Sequence, residues 1–194
     1  MKRGEKKSQD VYDEVMRGEI SAEDAIKSLT KNDTIVFTHL TNRQAIKLIE
    51  NADIDLSFTN FVFYGADPLV SDKITEIGSI FADNTKEIGF PNLRKSGNIY
   101  ANRAEKLNFP GLRISYDIYA NRTEKLNFPN LRKSGHIYAG NAKKLSLPKL
   151  NVSGAVFADK DAVIYGRPGL RKRNEEKQRK PRPHCRLKIG RAHV

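Results

Sequence analysis

Apolar residues return every 19 positions through the middle of the chain without losing phase. Ile80, Ile99, Ile118, Ile137 and Val156 form one series, and Ala82, Ala101, Ala120, Ala139 and Ala158 a second. Pro91, Pro110, Pro129 and Pro148 form a third, with Leu93, Leu112, Leu131 and Leu150 two places behind. A fixed period near 20 that keeps apolar residues in register is the mark of a solenoid, in which each repeat is one coil laid on the last. Within a coil, Ile99-Tyr100-Ala101 and Leu107-Asn108-Phe109 each place apolar residues two apart, the period of a strand. The pattern therefore predicts two short strands per coil and a mainly β, parallel β-solenoid of 19-residue coils. Ile99, Ala101, Leu107, Phe109 and Leu112 are expected to point inward, and Asn98, Arg103, Lys106 and Asn108 outward.

The turns are written between these stretches. Ser96-Gly97, Ser134-Gly135 and Ser153-Gly154 suit a tight corner at positive φ, which glycine adopts at little cost. The third coil has Ser115-Tyr116 there, so that corner does not strictly require glycine. Proline follows the second strand, where a missing N–H ends a ladder without an orphan donor. One coil cannot bury enough apolar surface to offset its own ordering entropy, so neighbours must stack and the ends need caps.

Traced backwards, the period reaches Phe61, Leu69 and Ile74, with Asp72 in place of proline; traced forwards it holds at Ile164, while Pro168 comes one residue late. This gives about five and a half coils over 61–166. Ile99 to Arg113 and Ile118 to Arg132 differ at only two positions, the signature of an internal duplication.

Ile77-Gly78-Ser79-Ile80-Phe81-Ala82 and Leu126-Asn127-Phe128-Pro129-Asn130-Leu131 resemble the short leucine-rich-repeat relatives of bacterial surface proteins and the receptor L-domain type. The resemblance covers 61–166 and implies a solenoid that binds proteins or glycans and shares no catalytic set. This unit is shorter than theirs and lacks their strict leucine string, so a plain parallel β-solenoid stays open.

Residues 1–60 leave the repeat and predict a small α-helical N-terminal cap. A helix is expected over Ser8 to Arg17, with Val11, Val15 and Met16 on one face and Gly18 as its stop. A second, opened by Ser21 and Asp24, runs through Ala25, Ile26 and Leu29. A strand at Thr34 to Phe37 and a helix over Asn42 to Glu50 complete the segment. A separate helical interaction domain is the alternative reading of this stretch.

Charge divides the chain unevenly. It holds 35 Lys and Arg against 23 Asp and Glu, a formal net of +12. Residues 167–194 hold 11 of the basic and two of the acidic residues, a net of +9, which leaves +3 for the rest. Such a tail ordinarily suggests nucleic acid. Its last seven residues, 188–194, however, read as a translated sequencing adapter, so the chain is expected to be cut short and 167–194 to be a disordered or partly spurious tail. Nucleic acid is accordingly the least expected partner. The single cysteine, Cys185, lies in the tail and leaves the repeats without a disulfide frame or thiolate metal site. A charged N-terminus and the lack of a long apolar run predict a cytoplasmic chain with no membrane span.

Stacking turns equivalent residues into columns about 4.8 Å apart, and the columns are the candidate sites. Tyr100, Tyr119 and Tyr138, flanked by Phe81 and Phe157, form an aromatic column that either stacks on a ligand or merely on itself. Arg94, Arg113 and Arg132, with Arg103 and Arg122, form basic columns that either bind a polyanion or serve as a solvated face. The four histidines are scattered, and no paired carboxylates, phosphate loop or metal motif recurs. No catalytic residue, metal or cofactor is expected. The predicted role is a non-catalytic binding module, for a protein first and a glycan or polyanion second. A structural or adhesive stalk is the rival reading.

Overall fold

The computed structural model describes residues 8–151, 153–159 and 161–166. The tail 167–194, with Pro168, Cys185 and the adapter-like 188–194, lies outside the described residues.

Isoleucine at one phase of the period is what the backbone ladder needs, because a β-branched side chain fits a pleated, half-buried surface. Phe61, Ile80, Ile99, Ile118, Ile137 and Val156 are paired neighbour to neighbour in parallel register. All are buried, Val156 at 5% exposure and the rest at 0%. They lie in one file of an eight-stranded sheet. On a second side of the coil, Leu69, Ile88 and Leu107 pair in one sheet, and Leu126, Leu145 and Ile164 in another. Among the described residues, no strand pairing joins Leu107 to Leu126, so this ladder breaks between the two near-identical coils.

A third side departs from the two strands expected per coil. Glu76–Ile77 pairs with Lys95–Ser96, and single bridges carry the line on from Lys95 to Ile114 and from Ile114 to Lys133. The coil is therefore three-sided. Its interior is filled as expected by Ile99, Ala101, Leu107, Phe109 and Leu112, all buried. Phe90, Phe109 and Phe128 stack through the core with centroids 6.0 and 6.2 Å apart.

The prolines occupy the second place of a four-residue turn. Leu112 N donates to Phe109 O at 3.2 Å across Pro110-Gly111, and Leu93, Leu131 and Leu150 repeat the bond. Proline's fixed φ suits that place in a β-turn, and its missing N–H is not needed there. The corner glycines work differently from the expectation. Among the described glycines only Gly18 has positive φ, at 74°. Gly78 and Gly97 instead let two backbones approach closely. A Cβ on Gly78 would stand 2.2 Å from Thr59 O, and one on Gly97 2.9 Å from Ser79 N.

The three helices and the Thr34–Phe37 strand of the N-terminal segment form as predicted, with two differences. Helix α1, Ser8–Met16, buries Val11 and stops at Gly18, but Met16 is 40% exposed and does not join the apolar face. Helix α2, Ala22–Leu29, is capped by Ser21, whose hydroxyl accepts from Asp24 N and donates to Asp24 Oδ2. β1 (Thr30–Lys31) and β2 (Thr34–Phe37) form a hairpin whose Asn32 and Asp33 both take positive φ. That is the turn whose twist matches antiparallel strands, and Asn and Asp tolerate it best. Helix α3, Asn42–Asn51, begins with a Thr41 and Gln44 capping box.

The second difference concerns β2. It pairs in parallel with β3 (Asn60–Phe63), Ile35 opposite Phe61. The first rung of the main sheet thus lies inside the helical segment. Residues between the two strands exceed one coil length, and α3 takes up the excess. Asp67 anchors that helix to the solenoid by accepting from Asn42 N and Arg43 N.

Candidate binding surfaces

Tyr100, Tyr119 and Tyr138 lie between the inward Ile and Ala of each rung and are half-buried. Their rings lie flat on one another, with centroids 4.7 and 4.6 Å apart and planes within 6°. Phe81 and Phe157 extend the stack at 4.4 and 4.9 Å. Strand spacing sets this distance, so each interior ring spends both faces on its neighbours. A ligand has access to ring edges and hydroxyls along the column, not to a ring face. Two hydroxyls are engaged within their own coils: Tyr119 donates to Asp117 Oδ2 at 3.3 Å, and Tyr100 accepts from Asn98 Nδ2 at 3.5 Å. Desolvation between its neighbours, followed by the charge of Asp117, raises the Tyr119 pKa above the ordinary phenol value.

Four lysines of the repeats are neutralised by glutamates. Lys86 pairs with Glu105 at 3.5 Å, Lys143 with Glu124 at 2.8 Å, Lys95 with Glu76 at 3.0 Å, and Lys106 with Glu87, each one coil apart. Lys143, first by hydrogen bond and then by charge, holds the Glu124 carboxyl below its usual range. Arg103 donates to Asn84 Oδ1 at 3.1 Å, and Arg122 is exposed above it.

Arg94, Arg113 and Arg132 contrast with these. Their backbones form consecutive rungs, Arg113 N on Arg94 O at 2.9 Å and Arg132 N on Arg113 O at 2.8 Å. The side chains are exposed, and no ion pair involves them among the described residues. They line an open groove of about 610 Å³ whose other walls include Asn92, Gly111, Asn130 and Lys149, with no carboxylate. Sequence reasoning missed Lys149, Asn92 and Asn130. Lys149 falls in the proline turn, two places off the arginine phase, and only the folding of that turn brings it alongside. Lys149 Nζ donates to Asn130 Oδ1 at 2.7 Å, and Asn130 Nδ2 donates to Pro110 O at 2.8 Å. These bonds brace the groove wall and leave the guanidiniums as its unspent donors.

Among the described residues, no group of three or more His, Cys, Asp or Glu converges as metal ligands would, and no helix is long and apolar enough to cross a membrane. His136, the one histidine inside the repeats, accepts from Ala155 N at Nδ1.

Fold and surface together define a parallel β-solenoid of stacked 19-residue coils. No family model, curated protein or solved structure matches the chain.

Proposed function

We propose that the chain is a non-catalytic binding scaffold that engages a protein partner along the flank carrying the arginine column. The observation that carries this reading is a contrast: Lys86, Lys95, Lys106 and Lys143 each have a glutamate one coil away, while Arg94, Arg113 and Arg132 have none. Arginines on rungs about 4.8 Å apart crowd like charges that repel one another unless an external anion or solvent screens them. Their planar, fork-like donors suit carboxylates. The resemblance of the repeats to leucine-rich-repeat relatives, whose solenoids mostly bind proteins or glycans, supports the same assignment. The aromatic column lies on another side of the coil and offers edges and hydroxyls, not a stacking platform.

A passive stalk is the second reading, favoured by the self-stacked Phe81-to-Phe157 column. Photo-crosslinkers placed singly at positions 113, 119 and 127 separate the two in cells that produce the protein. A binding scaffold gives a discrete adduct with one protein from 113, weaker labelling from 119, and none from 127, which faces solvent on the second side. Absent or position-independent adducts would leave the stalk.

A further inference from the structure

The arginine groove is specific enough to say what kind of segment fills it. From Arg94 to Lys149 the groove climbs three coils, about 14 Å at 4.8 Å per rung. An extended peptide rises about 3.3 Å per residue and presents alternate side chains to one face. Four to five of its residues therefore span the groove and bring two or three carboxylates to the guanidiniums. Four cations without a lining carboxylate match that charge. No aromatic residue lines the groove itself, and Tyr116 outside it offers a single ring, so a run of nucleobases or sugars finds no ladder of rings to stack on.

A second observation points to protein. Ile114 and Tyr116 stand beside Arg113 where the neighbouring coils have Lys95 and Lys133, and Gly97 and Gly135. They flank buried Ser115, so strand alternation turns both outward, at 36% and 68% exposure. The middle coil thus replaces charge and glycine with an exposed apolar pair at the centre of the basic flank. An acidic segment carrying one large apolar residue meets both features; a uniform polyanion meets only the first.

We propose, resting on the scaffold reading above, that this groove binds an extended acidic peptide segment of the partner, with an apolar side chain seated on Ile114 and Tyr116. The test uses the full chain and fluorescence anisotropy. The probes are a labelled peptide of five glutamates and one phenylalanine, the same peptide without phenylalanine, and a single-stranded oligonucleotide and a heparin fragment of equal charge. Replacing Arg94, Arg113 and Arg132 by Ser is expected to weaken the phenylalanine peptide about tenfold or more. Replacing Arg103, Arg122 and Lys125 by Ser removes equal charge elsewhere and is expected to change affinity by less than about twofold. I114K with Y116G, which restores the neighbours' residues, is expected to remove the advantage of the phenylalanine peptide over the plain one. All variants expose the altered side chains, and circular dichroism checks their fold.

Three outcomes overturn the proposal: no measurable peptide binding, equal losses from both triple variants, or tighter arginine-dependent binding of the oligonucleotide or heparin. Should the peptide arm fail while crosslinks from position 113 persist, the scaffold reading stands and only the acidic segment is lost.

Discussion

The imidazole of His136 accepts a hydrogen bond at Nδ1 from the backbone amide of Ala155, one coil further on, at 3.0 Å. It continues a column in which each side chain receives the next coil's N–H. Asn60 takes Ser79 N, Ser79 takes Asn98 N, Asn98 takes Asp117 N, and Asp117 takes His136 N. Asn, Ser, Asp and His share no shape or charge here; they share an acceptor within reach of one N–H. His136→Asn should therefore leave stability nearly unchanged, while His136→Leu, which strands the Ala155 amide, should lose about 1 kcal/mol in urea unfolding. A leucine variant as stable as the parent would remove this column from the account of what holds the coils together.

The inward file makes a larger contribution. Ile118 is fully buried between Ile99 and Ile137, so Ile118→Ala should cost about 2–5 kcal/mol, through lost burial and the cavity left behind. Tyr119 stacks on two rings but keeps its outer edge wet, and Tyr119→Ala should cost clearly less. Denaturation midpoints of the two variants, compared at equal unfolding slope, decide the order. A reversed order would mean that the outer stack, not the core file, dominates cohesion.

Much of this was legible because stacking converts a sequence period into a spatial column. Ile99, Ile118 and Ile137 had to align once the coils were flat. The third side was hidden because its inward residue is serine. Ser96, Ser115 and Ser134 are buried, Ser96 Oγ donates to Ser115 Oγ at 3.1 Å, and hydroxyls do not register in an apolar pattern. The sequence pattern marks Thr34–Phe37 as a strand but not as part of the sheet, since its distance from Phe61 breaks the period. The basic groove was half legible. The arginines keep phase, while Lys149 joins them only through the proline turn.

Close backbone approach, rather than dihedral freedom, explains the corner glycines. Alanine at Gly78 would press its Cβ to 2.2 Å from the Thr59 main-chain carbonyl, which cannot turn aside as a side chain can. At Gly140 the nearest atom is the Asn121 side-chain oxygen at 3.2 Å, which accepts from Gly140 N and need give only a few tenths of an ångström while keeping that bond. Gly78→Ala should thus lose about 1–3 kcal/mol and Gly140→Ala much less, as read from thermal unfolding. Equal melting temperatures for the two would show that this corner yields as easily as an exposed turn.

Alkaline titration probes the aromatic column directly. Ionising Tyr119 places a phenolate between two rings and beside the Asp117 carboxylate, and desolvation first, then that charge, push its pKa up. A folded-state pKa above the unfolded value means the stabilising contribution is complete below the unfolded phenol's range, about pH 10, and is lost as pH rises through the folded value. The phenolate absorbance difference between parent and Tyr119→Phe should therefore appear later than free tyrosine. Asp117→Asn keeps the acceptor for His136 N but removes the charge, so it should move the Tyr119 transition only part of the way back. A return to the ordinary value would assign the shift to Asp117 alone and leave no role for burial between stacked rings. No movement at all would assign it to burial alone.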